Sequence, residues 1–138
     1  MFKRICTFFS IIIVLFGVFL LNYKPMFADF TDRLELYLDE NSSNAQIISV
    51  ETIDYRFIKN IKGESFKIDK KCFSLDEFLN KTGGKVIFTE TTEYGVSYYC
   101  YSNSIKYRKQ IRGEIINLHV FVGKEQVTIG SPLIYGSF

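Results

Sequence analysis

Two hydrophobic patterns divide the chain near residue 28. Lys3 and Arg4 precede residues 5–21, seventeen positions without a charge, broken only by Cys6, Thr7, Ser10 and Gly17. Basic residues followed by an apolar run form the pattern of a targeting segment. Seventeen helical residues rise about 25 Å, between the core of a signal peptide and the roughly 30 Å of bilayer hydrocarbon. A signal peptide cut after Ala28 and a retained signal anchor both satisfy it, although Met26 is larger than the small residue preferred three positions from the cut. Either way, Lys3 and Arg4 hold the N-terminus inside, and the rest of the chain is delivered outside, secreted or anchored through residues 5–21. The expected organisation is a signal peptide or anchor over 1–28 and one extracytoplasmic domain over 29–138.

Beyond that segment the period changes. Phe30, Leu34 and Leu38 recur four apart, with Asp32, Glu35, Asp39 and Glu40 opposite, which predicts an amphipathic helix over 29–40. Residues 46–58 switch to strand alternation, with Ile53, Tyr55 and Phe57 against Thr52, Asp54 and Arg56. A turn at 60–63 and a second alternating run over 64–69 predict a hairpin. Ser74 followed by Glu77 is a capping box, and Leu75, Phe78 and Leu79 make an apolar face, predicting a two-turn helix that stops at Gly83-Gly84. Residues 85–90, 94–102, 114–122, 126–130 and 133–137 read as strands separated by turn residues. Ile116, Leu118, Val120 and Val122 form one apolar face, so their strand should be central. The predicted fold class is α+β, an antiparallel sheet with two short helices packed on one face, after an N-terminal apolar targeting helix.

Composition narrows the function. The 138 residues carry 17 Lys and Arg against 15 Asp and Glu, and three of the cations, Lys3, Arg4 and Lys24, belong to the first segment. That leaves 14 against 15 from Asp29 onward, a near-neutral domain unlike one that coats nucleic acid. A hydrophobic content of 47% excludes a disordered chain. One His excludes a multi-His metal site, and no cofactor motif is present. Abundant Ile, Asn, Lys, Phe and Tyr beside scarce Ala, Arg and Pro is the bias of an AT-rich bacterial gene, so the outside is a bacterial envelope.

Candidate chemistry is sparse. Cys72 and Cys100 are the only cysteines outside the N-terminal segment and are candidates for one disulfide, with two buried unpaired thiols as the other reading. Cys100 and His119 fall on strands that can neighbour each other, which raises a thiol nucleophile with a His base; an ordinary surface His is the competing reading. Glu90, Glu93 and Glu114 are possible acid/base carboxylates or ordinary surface groups near turns. Thr82-Gly83-Gly84-Lys85 ends a helix and lacks the spacing of a phosphate loop. Lys106, Arg108, Lys109 and Arg112, with Tyr107 between, form the densest charge feature. Outside a bacterial membrane such cations face anionic lipid or cell-wall polymer, each contributing on the order of 1 kcal/mol, and they also guard a sheet edge. Tyr98, Tyr99 and Tyr101 alternate through one strand, so at least one faces away from the core.

Tyr101-Ser102-Asn103-Ser104-Ile105, Gly113 through Val120, and Val127-Thr128-Ile129-Gly130-Ser131-Pro132-Leu133-Ile134 follow one another in an order that resembles the C-terminal pattern of the exported TATA-box-binding-protein-like (YwmB-type) family of Gram-positive bacteria. That resemblance, over about the last third of the chain, implies a curved antiparallel sheet with helices on one face in an exported protein. It transfers no functional residue and does not imply DNA binding.

Together these features predict a non-catalytic binding or accessory domain of the cell envelope, needing no cofactor or metal. Two other readings stay open: a small envelope hydrolase using Cys100 and His119, and a structural subunit that packs the helix face of Phe30, Leu34 and Leu38 on an envelope protein.

Overall fold

A computed structural model describes residues 2–21, 25–38, 47–51 and 61–135. An α-helix, α1, runs over Phe2–Leu21. Seven strands form one antiparallel sheet: β1 (Arg33–Tyr37), β2 (Ile47–Glu51), β3 (Gly63–Asp69), β4 (Gly84–Thr91), β5 (Val96–Ser102), β8 (Leu118–Val122) and β9 (Gln126–Ser131), in the order β2-β1-β3-β9-β8-β5-β4. Two short strands, β6 (Lys109–Ile111) and β7 (Glu114–Ile116), make a separate hairpin. Arg112 and Gly113 turn it with φ of 54° and 84°, the two consecutive left-handed residues of a type I′ turn.

A 3-10 turn over Lys70–Cys72 and the helix α2 (Leu75–Thr82) carry the chain from β3, in the middle of the sheet, to β4 at its far edge. Local chemistry fixes α2. Ser74 Oγ accepts from the Glu77 N–H at 3.4 Å, and Gly83 ends the helix in the left-handed conformation, φ 63°. Its apolar side, Leu75, Phe78 and Leu79, covers one face of the sheet, where Leu34, Leu36, Phe66, Leu118, Val120, Val127 and Ile129 are buried. The segment from Pro25 to Phe30 closes the same face. Phe27 lies 5.1 Å from Phe66, Phe30 5.1 Å from Phe78, and Phe73 5.6 Å from Phe78, as ring centroids. The opposite face is covered by the C-terminal segment, which descends on Gly130: a side chain there would sit 2.8 Å from the Leu133 carbonyl oxygen.

The structure corrects several sequence expectations. Residues 33–37 are the strand β1 and not part of a helix, so among the described residues one short helix packs on the sheet where two were expected. Leu34 and Leu36 face the core while Glu35 and Tyr37 face the other side; pairing with both β2 and β3 gives β1 an internal sheet position, which outweighs the four-residue spacing. The expected hairpin of residues 46–58 with 64–69 is replaced by β1 lying between β2 and β3. Residues 52–60 lie outside the described residues, as do 136–137 of the last expected strand, and residues 133–135 form no strand. The expected strand over 114–122 is broken at Asn117. Pro25 and Phe27, on the N-terminal side of the expected boundary, are fully buried.

Candidate functional site

β5 and β8 pair in the register Cys100 to Leu118 and Tyr99 to His119. Residues directly opposite share a face and successive residues alternate, so Cys100 points into the α2 side and His119 into the other. Their environments oppose catalysis as well. Burial pushes the Cys100 thiol up to about 12, and burial pulls His119 down to about 4 despite the opposing influence of Glu90. A nucleophilic pair needs a thiolate beside an imidazolium. The two strands thus bring these residues close in register without assembling them, and the hydrolase reading fails on geometry. His119 is also not a surface residue: it is 3% exposed and accepts from the Ile134 N–H at Nδ1, 3.3 Å away. The signal for its burial was the near-continuous apolar run Leu118 to Val122, which marks a strand covered on both faces.

Cys72 and Cys100 stand as free thiols, one exposed on the 3-10 turn and one enclosed under β5. The expected disulfide is not formed, and Cys100 instead packs as a small hydrophobe in the core. Alkylation of the native protein followed by peptide mapping should therefore label Cys72 and leave Cys100 unlabelled until denaturant is added. Equal labelling of both under native conditions would contradict this burial.

Arg108 and Arg112 lie over aromatic rings of the sheet, and Lys109 meets Tyr135 of the C-terminal segment. Arg112 ion-pairs with Glu90, and its guanidinium lies 5.4 Å from the Phe88 ring centre. Phe88 stacks on Tyr99 at 4.4 Å, and Tyr99 stacks on His119 at 4.5 Å with ring planes 13° apart. The Tyr99 hydroxyl donates to Glu90 Oε2 at 2.9 Å, closing the assembly. Lys109 Nζ donates to the Tyr135 hydroxyl at 3.3 Å, and Arg108 lies 5.6 Å from the Tyr101 ring centre. Lys106 and Arg108 are exposed. Glu90 is thus occupied within the protein, while Glu93 and Glu114 are exposed on separate turns and strands, so no carboxylate pair is assembled. Among the described residues no group of His, Cys, Asp and Glu is placed to hold a metal.

Two features escaped sequence reading. Asn117, fully buried at the break between β7 and β8, accepts from the Ser102 N–H at 2.7 Å and donates to the Ser102 and Ile105 carbonyls at 2.6 and 3.2 Å. Glu64, 1% exposed on the core face of β3, accepts from the N–H groups of Met26 and Phe27, both at 3.3 Å, and burial raises its carboxyl above the usual range. A cleft of about 410 Å³ between the β4–β5 and β8–β9 turns is lined by Lys70, Thr92, Tyr94, Tyr98 and Lys124, with Tyr94 two-thirds exposed.

The fold and these sites define an α+β domain, a seven-stranded antiparallel sheet with α2 packed on one face and a separate two-stranded hairpin, preceded by a helix. No family model, no curated protein and no solved structure matches this chain.

Proposed function

We propose that the protein is an exported, non-catalytic binding or accessory domain of the bacterial cell envelope, directed there by α1. The observation that carries this reading is the helix surface. Phe8, Phe9, Ile11, Ile12, Ile13, Val14, Leu15 and Phe16 are 47 to 67% exposed. Eight consecutive large apolar positions, Ser10 aside, left uncovered on all sides of a helix favour a surrounding of lipid or translocation channel over water. Lys3 and Arg4 at its start supply the orientation. The stretch with described flanks, Cys6 to Gly17, is twelve residues and rises about 18 Å. Among the described residues no helix is long and apolar enough to cross a membrane. The targeting role therefore rests on the uncharged run of residues 5–21 together with the bare flanks. The resemblance of the last third to the exported TATA-box-binding-protein-like family agrees with export and adds no functional residue. Fractionation of cells expressing the full chain tests it: recovery in the membrane or the medium supports export, and recovery as a soluble cytosolic protein refutes it.

The ligand surface proposed for anionic lipid or wall polymer is the stretch of Lys106, Arg108, Lys109 and Arg112. Lys106 and Arg108 are exposed, and the Arg112 side chain is 65% exposed despite its ion pair. Binding to anionic vesicles or wall polymer should weaken as salt rises. Changing all four residues to Gln should abolish it, and unchanged binding by that variant would remove this surface from consideration. The structural-subunit reading loses its basis, because Leu34 is 1% exposed in the core and Phe30 packs on Phe66 and Phe78.

A further inference from the structure

The segment from Pro25 to Phe30, which follows the N-terminal helix in the chain, is built into the core. Pro25 and Phe27 are fully buried, and the Phe27 ring contacts both Phe66, at 5.1 Å, and Phe30, at 6.4 Å. The Ala28 N–H donates to the Pro25 carbonyl at 3.2 Å and the Phe30 N–H to the Phe27 carbonyl at 2.9 Å, so the segment is a closed turn. Beneath it, buried Glu64 has its two carboxylate oxygens on the N–H groups of Met26 and Phe27.

Ala28 is the only alanine in the first 28 residues and follows the apolar run at the distance where a signal peptidase cuts. A cut there would remove the Phe27 ring from the core and both donors from the Glu64 carboxylate in one event. Loss of a buried Phe and exposure of a buried carboxylate to a site without partners are each among the largest single lesions a small domain can suffer. We infer that the chain is not cut after Ala28 and, since residues 22–27 offer no small residue for a signal peptidase, that α1 is retained, with only residues 22–24 between the helix and the turn that begins at Pro25. This rests on the targeting reading of α1. It makes the protein a tethered domain whose binding surfaces act within a short reach of the membrane, not a released one.

Intact mass of the protein from membrane and medium of an exporting bacterial host decides the matter. Full-length chain in the membrane fraction is the expected result. A folded product spanning residues 29–138 in the medium would overturn the inference while leaving the targeting reading standing. Full-length chain in the cytosol would instead take away the targeting reading and the inference with it. A second measurement addresses this segment itself in the full-length protein. Phe27→Ala should lower the melting temperature by at least about 10 °C, with Phe27→Leu, which keeps most of the apolar volume, lowering it less. No shift with either variant would show that the turn is not part of the core, and would overturn the inference.

Discussion

Asn117→Ala is expected to remove a large share of the stability of this domain, about 3 to 5 kcal/mol out of the 5 to 15 typical of a small fold. The side chain satisfies three backbone groups on the segment that leaves β5: the Ser102 N–H and the carbonyls of Ser102 and Ile105. An alanine leaves the N–H without a partner in a dry environment, at roughly 1 to 3 kcal/mol, and weakens both carbonyls as well. The backbone of Asn117 is committed too, since its N–H donates to the Cys100 carbonyl at 3.1 Å and its carbonyl accepts from Ser131 Oγ at 2.7 Å. The strand break at this residue is therefore a junction where β5, β8 and the end of β9 are tied together. Urea unfolding of the variant should show a lower midpoint with an unchanged slope. Glu114→Ala, at an exposed position of β7, should stay within about 0.5 kcal/mol of the parent. A loss below about 1 kcal/mol for Asn117→Ala would mean that water replaces the side chain, and this account of the junction would be wrong.

The second large effect is a loss of stability in acid that traces to His119. Its ring lies between Tyr99 and the C-terminal segment, and burial pulls it from 6.5 down to about 4. A folded-state value below the unfolded one means that the unfolded chain binds the proton first. The stability contributed by neutral His119 is therefore complete above pH 6.5 and is lost as pH falls toward 4. A drop of this size corresponds to roughly 3 kcal/mol between pH 7 and pH 4. Glu64 acts with the opposite sign: burial raises its carboxyl, so its contribution is present below the usual carboxylate range and is lost as pH rises through the raised value. The wild-type curve sums the two. The difference between the parent and His119→Gln isolates the imidazole, and the variant's stability should fall less steeply over that interval. Parallel curves for the two proteins would show that His119 does not titrate with unfolding.

The local signals that proved legible were those whose physics is short-range. Ser74 and Glu77 announce the start of α2, and Gly83 its end, because capping needs only residues three or four apart. The alternation Glu64 to Asp69 and the runs around Tyr98 and Val120 gave β3, β5 and β8 because side chains on a strand alternate whatever its partners. Residues 33–37 were not legible. Leu34 with Leu38 has helical spacing and Leu34 with Leu36 has strand spacing, and the choice fell to β2 and β3, which supply ladder hydrogen bonds on both sides. The candidate sites divide the same way. The residue types at Cys100, His119 and the basic stretch were visible at once, yet their roles depended on register: one step along β5 separates Tyr99, stacked on His119, from Cys100 on the opposite face.

What the sequence determined by itself is a basic start followed by an uncharged apolar run, a near-neutral remainder of alternating strands with one well-capped helix, and a single dense run of cations. These follow from composition and from periods of two and four residues, which need no knowledge of what packs against what. The tertiary structure decided the order of the sheet, the burial of His119 on a face closed by the C-terminal segment, the return of Arg112 onto Glu90 and Phe88, and the placement of Pro25 to Phe30 inside the core. Each joins residues tens of positions apart, and such contacts form only when the whole sheet is in register. That is why the expected cut after Ala28 could be read from local sequence, whereas the burial of Phe27 and its hydrogen bond to Glu64 could not.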